Sequence, residues 1–316
     1  MTRLILSTSN IMTGGPSIIR KPGADRSNLE LTNSLRSNFL AAQQDYSPPL
    51  SATSGSGSPR SSSDEDLPSR RPQSSIWTTR DGSDYYIPTI DWSLSGLCEE
   101  RSQYDITVKL FYLHGAHVKD RAKHTKDAIN LVLKELGVES IDLLIVSFPG
   151  MSFDGDCEWE ADKKNSAQGN DEEEIASWPA IEELYSQGVV KRLGLSEFGS
   201  EKLSRFLARA KVRPQVDQVN IKDCCNVPPP LLKLAKMEGI ELLTHNDCTD
   251  ILPSGTLREL LGQGIRGAGV LSESKRGMNG MRGDLNPEWV VKYTAVVRDR
   301  GVIENKGYFA VAELNE

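Results

Sequence analysis

The sequence predicts an α/β fold, a (β/α)8 barrel forming a single domain over residues 1–316. Three observations predict it. Strand-like and helix-like runs alternate at intervals of about 25–40 residues. The strand-like runs are apolar along their length, the pattern of parallel strands covered on both faces. They number near seven or eight, which favours a closed barrel over a doubly wound sheet, and no Gly-x-Gly-x-x-Gly follows the first to mark a Rossmann site.

The first strand is expected at 3–8 and the first helix at about 27–44, where Ser27 and Glu30 form a capping box. Leu31, Leu35, Phe39 and Ala42 supply that helix's apolar stripe. The second unit, residues 84–100, offers only a poor strand and helix. DITVKLFYL (105–113) and IDLLIVSF (141–148) read as strands flanking a helix at about 120–136, with Ala128, Val132 and Leu136 at helical spacing. A short helix at 178–187 opens on Trp178-Pro179 and turns Ile181, Leu184 and Tyr185 inward. VVKRLGLS (189–196) is the next strand, and Ser200 can cap a helix whose Leu203, Phe206, Leu207 and Ala210 share a face. A strand at 216–221, a helix at 229–238 behind Pro228 and a strand at 240–245 follow. Helices near 256–262 and 288–299 precede a last extended segment at about 301–313.

Two stretches should stay unpacked. Residues 47–75 hold seven serines between positions 51 and 63 and bury almost nothing, so they read as a disordered insert. Within it Ser61, Ser62 and Ser63 precede Asp64-Glu65-Asp66, an acidic setting for phosphorylation. Residues 151–176 carry nine acidic side chains without the spacing of a calcium loop and read as an acidic surface loop. The charge of -7, with no basic block, argues against a nucleic-acid partner. No apolar run reaches the roughly 18 residues of a membrane span, and Met1 to Leu6 turns polar at Ser7, so a cytoplasmic protein is expected. Five scattered cysteines and four histidines give neither a disulfide scaffold nor a metal site.

In a barrel, chemistry gathers at the C-terminal ends of the strands. Those ends supply Lys109, Ser147, Ser196-Glu197, Gln218, Asn220 and His245-Asn246-Asp247. Lys109 lies between Val108 and Leu110, so it is either paired in the barrel mouth or turned to solvent on the helix side. His245 and Asp247 form an acid–base pair or cap backbone groups at a strand terminus.

The segments ITVKL (106–110), IDLLIVSFPG (141–150), GVVKRLGLSEF (188–198), PQVDQVN (214–220) and GIELLTH (239–245) resemble successive strands of the aldo-keto reductases. That resemblance implies a barrel that binds NADPH without a Rossmann motif and reduces carbonyls through an Asp-Tyr-Lys-His set, with the tyrosine as proton donor. Lys109 matches the family lysine, whereas the histidine falls on Ser147. The aspartate and tyrosine belong to the second unit, where Tyr85, Tyr86 and Asp91 lack the expected spacing. Ser196 and Gln218 match cofactor positions, Glu197 stands where an asparagine holds the carboxamide, and His245 replaces the tyrosine that stacks on nicotinamide. Lys306 matches a lysine for the adenosine phosphate. The resemblance thus implies vestigial catalytic positions and a vestigial NADPH site, with no cofactor expected. An NADPH-dependent reductase or an NADPH-sensing protein is the alternative.

A narrower resemblance lies in DQVNIKDCCNVPPPLLKLAKMEGIELLTHND (217–247) and WVVKYTAVVRDRGVIENKGYF (289–309), which are similar to the regulatory subunit family of glutamate–cysteine ligase. This implies a non-catalytic subunit in a cytosolic heterodimer with the ligase's catalytic subunit, in the first step of glutathione synthesis. There it would improve glutamate use and relieve feedback inhibition by glutathione. Cys224 and Cys225 are then either redox-responsive or small buried hydrophobes.

Overall fold

The computed structural model describes all residues except 14–26, 47–70, 154–162, 221–226, 248–249, 273–279 and 316. Among the described residues ten strands form one mixed sheet: β1 (Thr2–Ser7), β2 (Thr79–Asp81), β3 (Asp84–Ile87), β4 (Tyr104–Tyr112), β5 (Ile141–Ser147), β6 (Val190–Ser196), β7 (Val216–Asn220), β8 (Glu241–His245), β9 (Asp284–Val297) and β10 (Val302–Asn315). The helices are α1 (Ser27–Asp45), α2 (Ser74–Trp77), α3 (Arg121–Leu136), α4 (Asp171–Ser186), α5 (Ser200–Leu207), α6 (Pro229–Glu238) and α7 (Thr256–Leu261). The ladder runs β2-β3-β1-β10-β9-β4-β5-β6-β7-β8. β4 to β8 are parallel, and β9 and β10 form a long antiparallel hairpin between β1 and β4.

Strand periodicity sorts the core onto two faces. From β4 the even residues Ile106, Val108 and Leu110, with Trp289, Val291, Tyr293 and Ala295 of β9, pack under α3, α4 and α5. The alternate residues of the same sheet, Phe111, Val290, Tyr308, Ala310 and Ala312, join Leu4 and Leu6 of β1 beneath α1 and α7. Each large side chain removed from water in this way contributes about 1.5–3 kcal/mol. The sheet is also rolled. β4 and β7 are three strands apart, about 14 Å in a flat sheet, yet Lys109 Nζ lies 2.8 Å from Gln218 Oε1.

The α/β class holds, as do the barrel-type succession of parallel strands and their outer helices. The departure from eight equal units lies around β9. The helix expected at 288–299 is strand instead, because Trp289, Val291, Tyr293, Ala295 and Val297 alternate at period two with Val290, Lys292 and Thr294. The hairpin takes the place beside β4 that the second unit would fill, and that unit is reduced to β2 and β3. Among the described residues the ladder ends at β2 and β8.

The acidic loop expected over 151–176 is shorter than that. α4 begins at Asp171, capped by the Asn170 side chain, which accepts from the main-chain N–H groups of Glu172 and Glu173. Asp171, Glu172, Glu173 and Glu174 fill its first turn, where the helix dipole favours negative charge. Lys202 of α5, 1% exposed, meets Asp171 and Glu174 at 2.7 Å each. A hydrogen bond from Arg205 is the main reason that the Asp171 carboxyl is held down to about 2. Pro179 therefore lies inside the helix rather than at its start. The insert expected over 47–75 falls outside the described residues up to position 70, Ser61, Ser62 and Ser63 included. Its last residues are placed: Arg71 donates to the carbonyls of Gln263, Gly264 and Ile265, and α2 begins at Ser74.

Candidate functional site

β4, β7, β9 and the end of β8 bring a buried charged cluster together on the rolled face. Lys109, 4% exposed, donates to Gln218 Oε1 at 2.8 Å and to Asp247 Oδ2 at 3.1 Å. Lys292 of β9 takes the other Asp247 oxygen at 2.8 Å. Lys109 and Lys292 sit opposite one another in the β4–β9 register, so their side chains share a face. Asn220 donates to the Asp247 carbonyl at 3.1 Å. Burial pulls the Lys109 ammonium below its ordinary pKa, against the opposing influence of Asp247 and Glu197. Burial pushes the Asp247 carboxyl up, but the charges of Lys109 and Lys292 outweigh it and hold the group below the usual range.

His245 ends β8 and joins this cluster through both ring nitrogens. Nδ1 accepts the Asp247 main-chain N–H at 3.0 Å, so the ring proton sits on Nε2, which faces Glu197 Oε1. Of the two readings of the His245–Asp247 pair, the structure shows the backbone-capping one; the Asp247 carboxylate stands 3.7 Å from Nδ1, outside hydrogen-bond reach. Glu197 adopts φ 70°, uncommon outside glycine and costing about 1–3 kcal/mol. It is held there by its own N–H on the Gln218 carbonyl at 2.9 Å and by the Phe153 N–H on its Oε2 at 2.6 Å. Beside the cluster opens a polar cleft of about 270 Å³, lined by Gln218, His245, Asp247, Lys292, Glu30 and Lys306 among others. Glu30 is not turned back to cap its helix as a capping box requires. Its carboxylate receives Lys306 Nζ at 2.7 Å and the Tyr308 hydroxyl at 2.6 Å.

The expected residues distribute unevenly. Lys109, Gln218, His245 and Asp247 meet, and Lys306 reaches the same cleft. Ser196 is buried in register with Gln218, and its hydroxyl has no hydrogen-bond partner. Ser147 is buried opposite Phe111, away from the cleft lining. Tyr85 accepts from Thr78, Tyr86 packs edge-on against Trp92, and Asp91 binds Ser93, so none of these supplies a proton at the cluster. Cys224 and Cys225 lie outside the described residues. Lys292 is absent from the sequence candidates because 288–299 reads as a helix; the period-two run around it is the signal that places it on a strand.

Among the described residues no group of three or more His, Cys, Asp or Glu side chains is arranged to hold a metal, and no helix is long and apolar enough to cross a membrane. The positions that the reductase resemblance assigns to NADPH do not fit that cofactor. Gln218 offers its oxygen to Lys109, Lys306 is neutralised by Glu30, and a carboxylate at Glu197 occupies the carboxamide position, facing His245. The unpartnered Ser196 hydroxyl alone remains of that set.

The family model described as Aldo/keto reductase family matches residues 81–301. The glutamate–cysteine ligase regulatory subunits of Homo sapiens and Mus musculus are each 26% identical over 215 residues, 68% of this chain and 68% of theirs. Among solved structures, the aldose reductase of Schistosoma japonicum is 24% identical with a TM-score of 0.34, over 45% of this chain and 46% of its own. The chain thus spans about half the length of that reductase.

Proposed function

From a chain that belongs to the aldo/keto reductase family but spends its central lysine on structural pairing, we infer a non-catalytic regulatory subunit of glutamate–cysteine ligase. It binds the ligase's catalytic subunit in the cytoplasm, improves its use of glutamate and lessens feedback inhibition by glutathione. The likeness to named regulatory subunits over 215 residues carries this reading. The site supports it. Carbonyl reduction needs a positioned acid for the developing alkoxide, a contribution of about 10²–10⁴-fold; among the described residues no tyrosine lines the cleft, and Tyr308, buried behind Glu30, donates its hydroxyl to that carboxylate.

The test is to mix the purified full chain with a glutamate–cysteine ligase catalytic subunit. The expected result is a co-eluting complex with a lower KM for glutamate or a higher inhibitory concentration of glutathione. Separate elution with unchanged kinetics at micromolar concentrations overturns the reading. A parallel fluorescence titration with NADPH should show no saturable binding; saturation, with carbonyl-dependent oxidation lost in Lys109→Met, would restore the reductase.

A further inference from the structure

A second surface, distinct from the polar cleft, is built from the C-terminal half of α1 and the loop after α7. Phe39, Leu40, Gln43, Ile265, Gly267 and Ala268 line a cavity of about 160 Å³ whose exposed lining is mostly apolar. That is close to the volume of an apolar cavity that holds one benzene ring. The apolar surface continues outside it: Leu40 is 57% exposed and Ile265 71%. Gln43 fixes the wall by donating to the Ala268 carbonyl at 2.9 Å, and Arg71 fixes the loop through its three carbonyl contacts.

Three arginines ring the opening. Arg71 spends its donors on neutral carbonyls, so its charge is not cancelled by those bonds. Arg266 is exposed and has no carboxylate partner among the described residues. Arg36 pairs with Glu259 at 2.7 Å, while its Nε is buried without a partner. A cation ring around an apolar hole attracts the opposite arrangement, a large apolar side chain flanked by carboxylates. The exposed Leu40 and Ile265 extend the patch past what a ring-sized molecule would cover, which favours a peptide segment.

We propose that this groove docks an acidic segment of a partner protein, with one aromatic or leucine side chain in the cavity and flanking carboxylates on Arg266 and Arg71. The assignment is independent of the regulatory reading. It is tested on the full chain with a fluorescein-labelled peptide, Glu-Asp-Asp-Phe-Asp-Glu, followed by polarisation. Saturable, salt-sensitive binding is expected, weakened about tenfold or more by Arg266→Glu and by Ile265→Ser. Both positions are exposed, so the melting midpoint of each variant should stay at that of the parent. Equal affinity of the variants, equal binding of the peptide with serine in place of phenylalanine, or no binding at all overturns the proposal. So does a gain in affinity when Asp64, Glu65 and Asp66 are replaced by serine, which would assign the groove to the chain's own acidic stretch.

Discussion

At the scale of single residues, the Lys109–Asp247–Lys292 cluster is held together by charges that cannot be removed one at a time. Lys109→Met leaves a buried carboxylate with one ammonium instead of two and should cost about 3 kcal/mol, the low end for a broken buried pair because Lys292 remains. Asp247 has a folded pKa below its unfolded value, so its contribution is complete above the unfolded pKa and is lost as pH falls through the folded one. Chemical denaturation of parent and variant should therefore differ most near neutrality and converge in acid. Asp217 runs the other way. Burial raises its carboxyl well above the usual range, and only the Phe198 N–H, at 3.4 Å, opposes this from the main chain. Its folded pKa exceeds its unfolded one, so it costs nothing below the unfolded value and costs more as pH rises to the folded one. Asp217→Asn should raise the melting midpoint at neutral and alkaline pH and leave it unchanged in strong acid.

At the scale of elements, the β9–β10 hairpin depends on close approach. A Cβ added at Gly307 would stand 2.2 Å from the Tyr293 hydroxyl and 2.6 Å from the Ser9 carbonyl. Tyr293 is itself buried and bonded to Glu135 at 3.3 Å, so it has little room to yield. Gly307→Ala should destabilise by about 1–3 kcal/mol or more through overpacking, read as a fall in the denaturation midpoint. The same hairpin separates the elements legible in the sequence from those that are not. β4, β5 and α3 were legible because their apolar runs had one period and clear ends, and the Lys109, Gln218 and His245 positions followed from the strand ends. β9 was misread because apolar residues on both faces erase the contrast that separates period two from period 3.6. With β9 taken for a helix, Lys292 could not be placed beside Lys109. The start of α4 was missed because an acidic run looks like solvated loop until Lys202 and the helix dipole are supplied by the fold.

At the scale of the whole molecule, burial on both faces sets a gradient of local stability. β1, β4, β9 and β10 are covered on both sides, whereas all three residues of β2 at the ladder's end are exposed. Amide hydrogen exchange should be slowest in β4, β9 and β10 and fastest in β2. Rapid exchange of the hairpin amides would mean that its packing between β1 and β4 is not the stable centre. Deleting residues 47–70 should move the melting midpoint by only a few degrees, because changing the length of a long connection alters closure entropy by only about 0.6 kcal/mol per doubling.

β10 lies between β1 and β9, pairing Thr2 with Leu314 and Ser7 with Phe309. A ribosome therefore makes the first strand of the sheet long before the one that will cover its edge. At about 5–20 residues per second the wait is on the order of 15–60 s. Throughout that interval Leu4, Ile5 and Leu6, each at most 1% exposed once folded, have no final neighbour on that side. Nascent chains of this protein thus carry an apolar strand edge without its partner until β10 is made. A stop codon upstream of Val302 would leave them permanently in that condition.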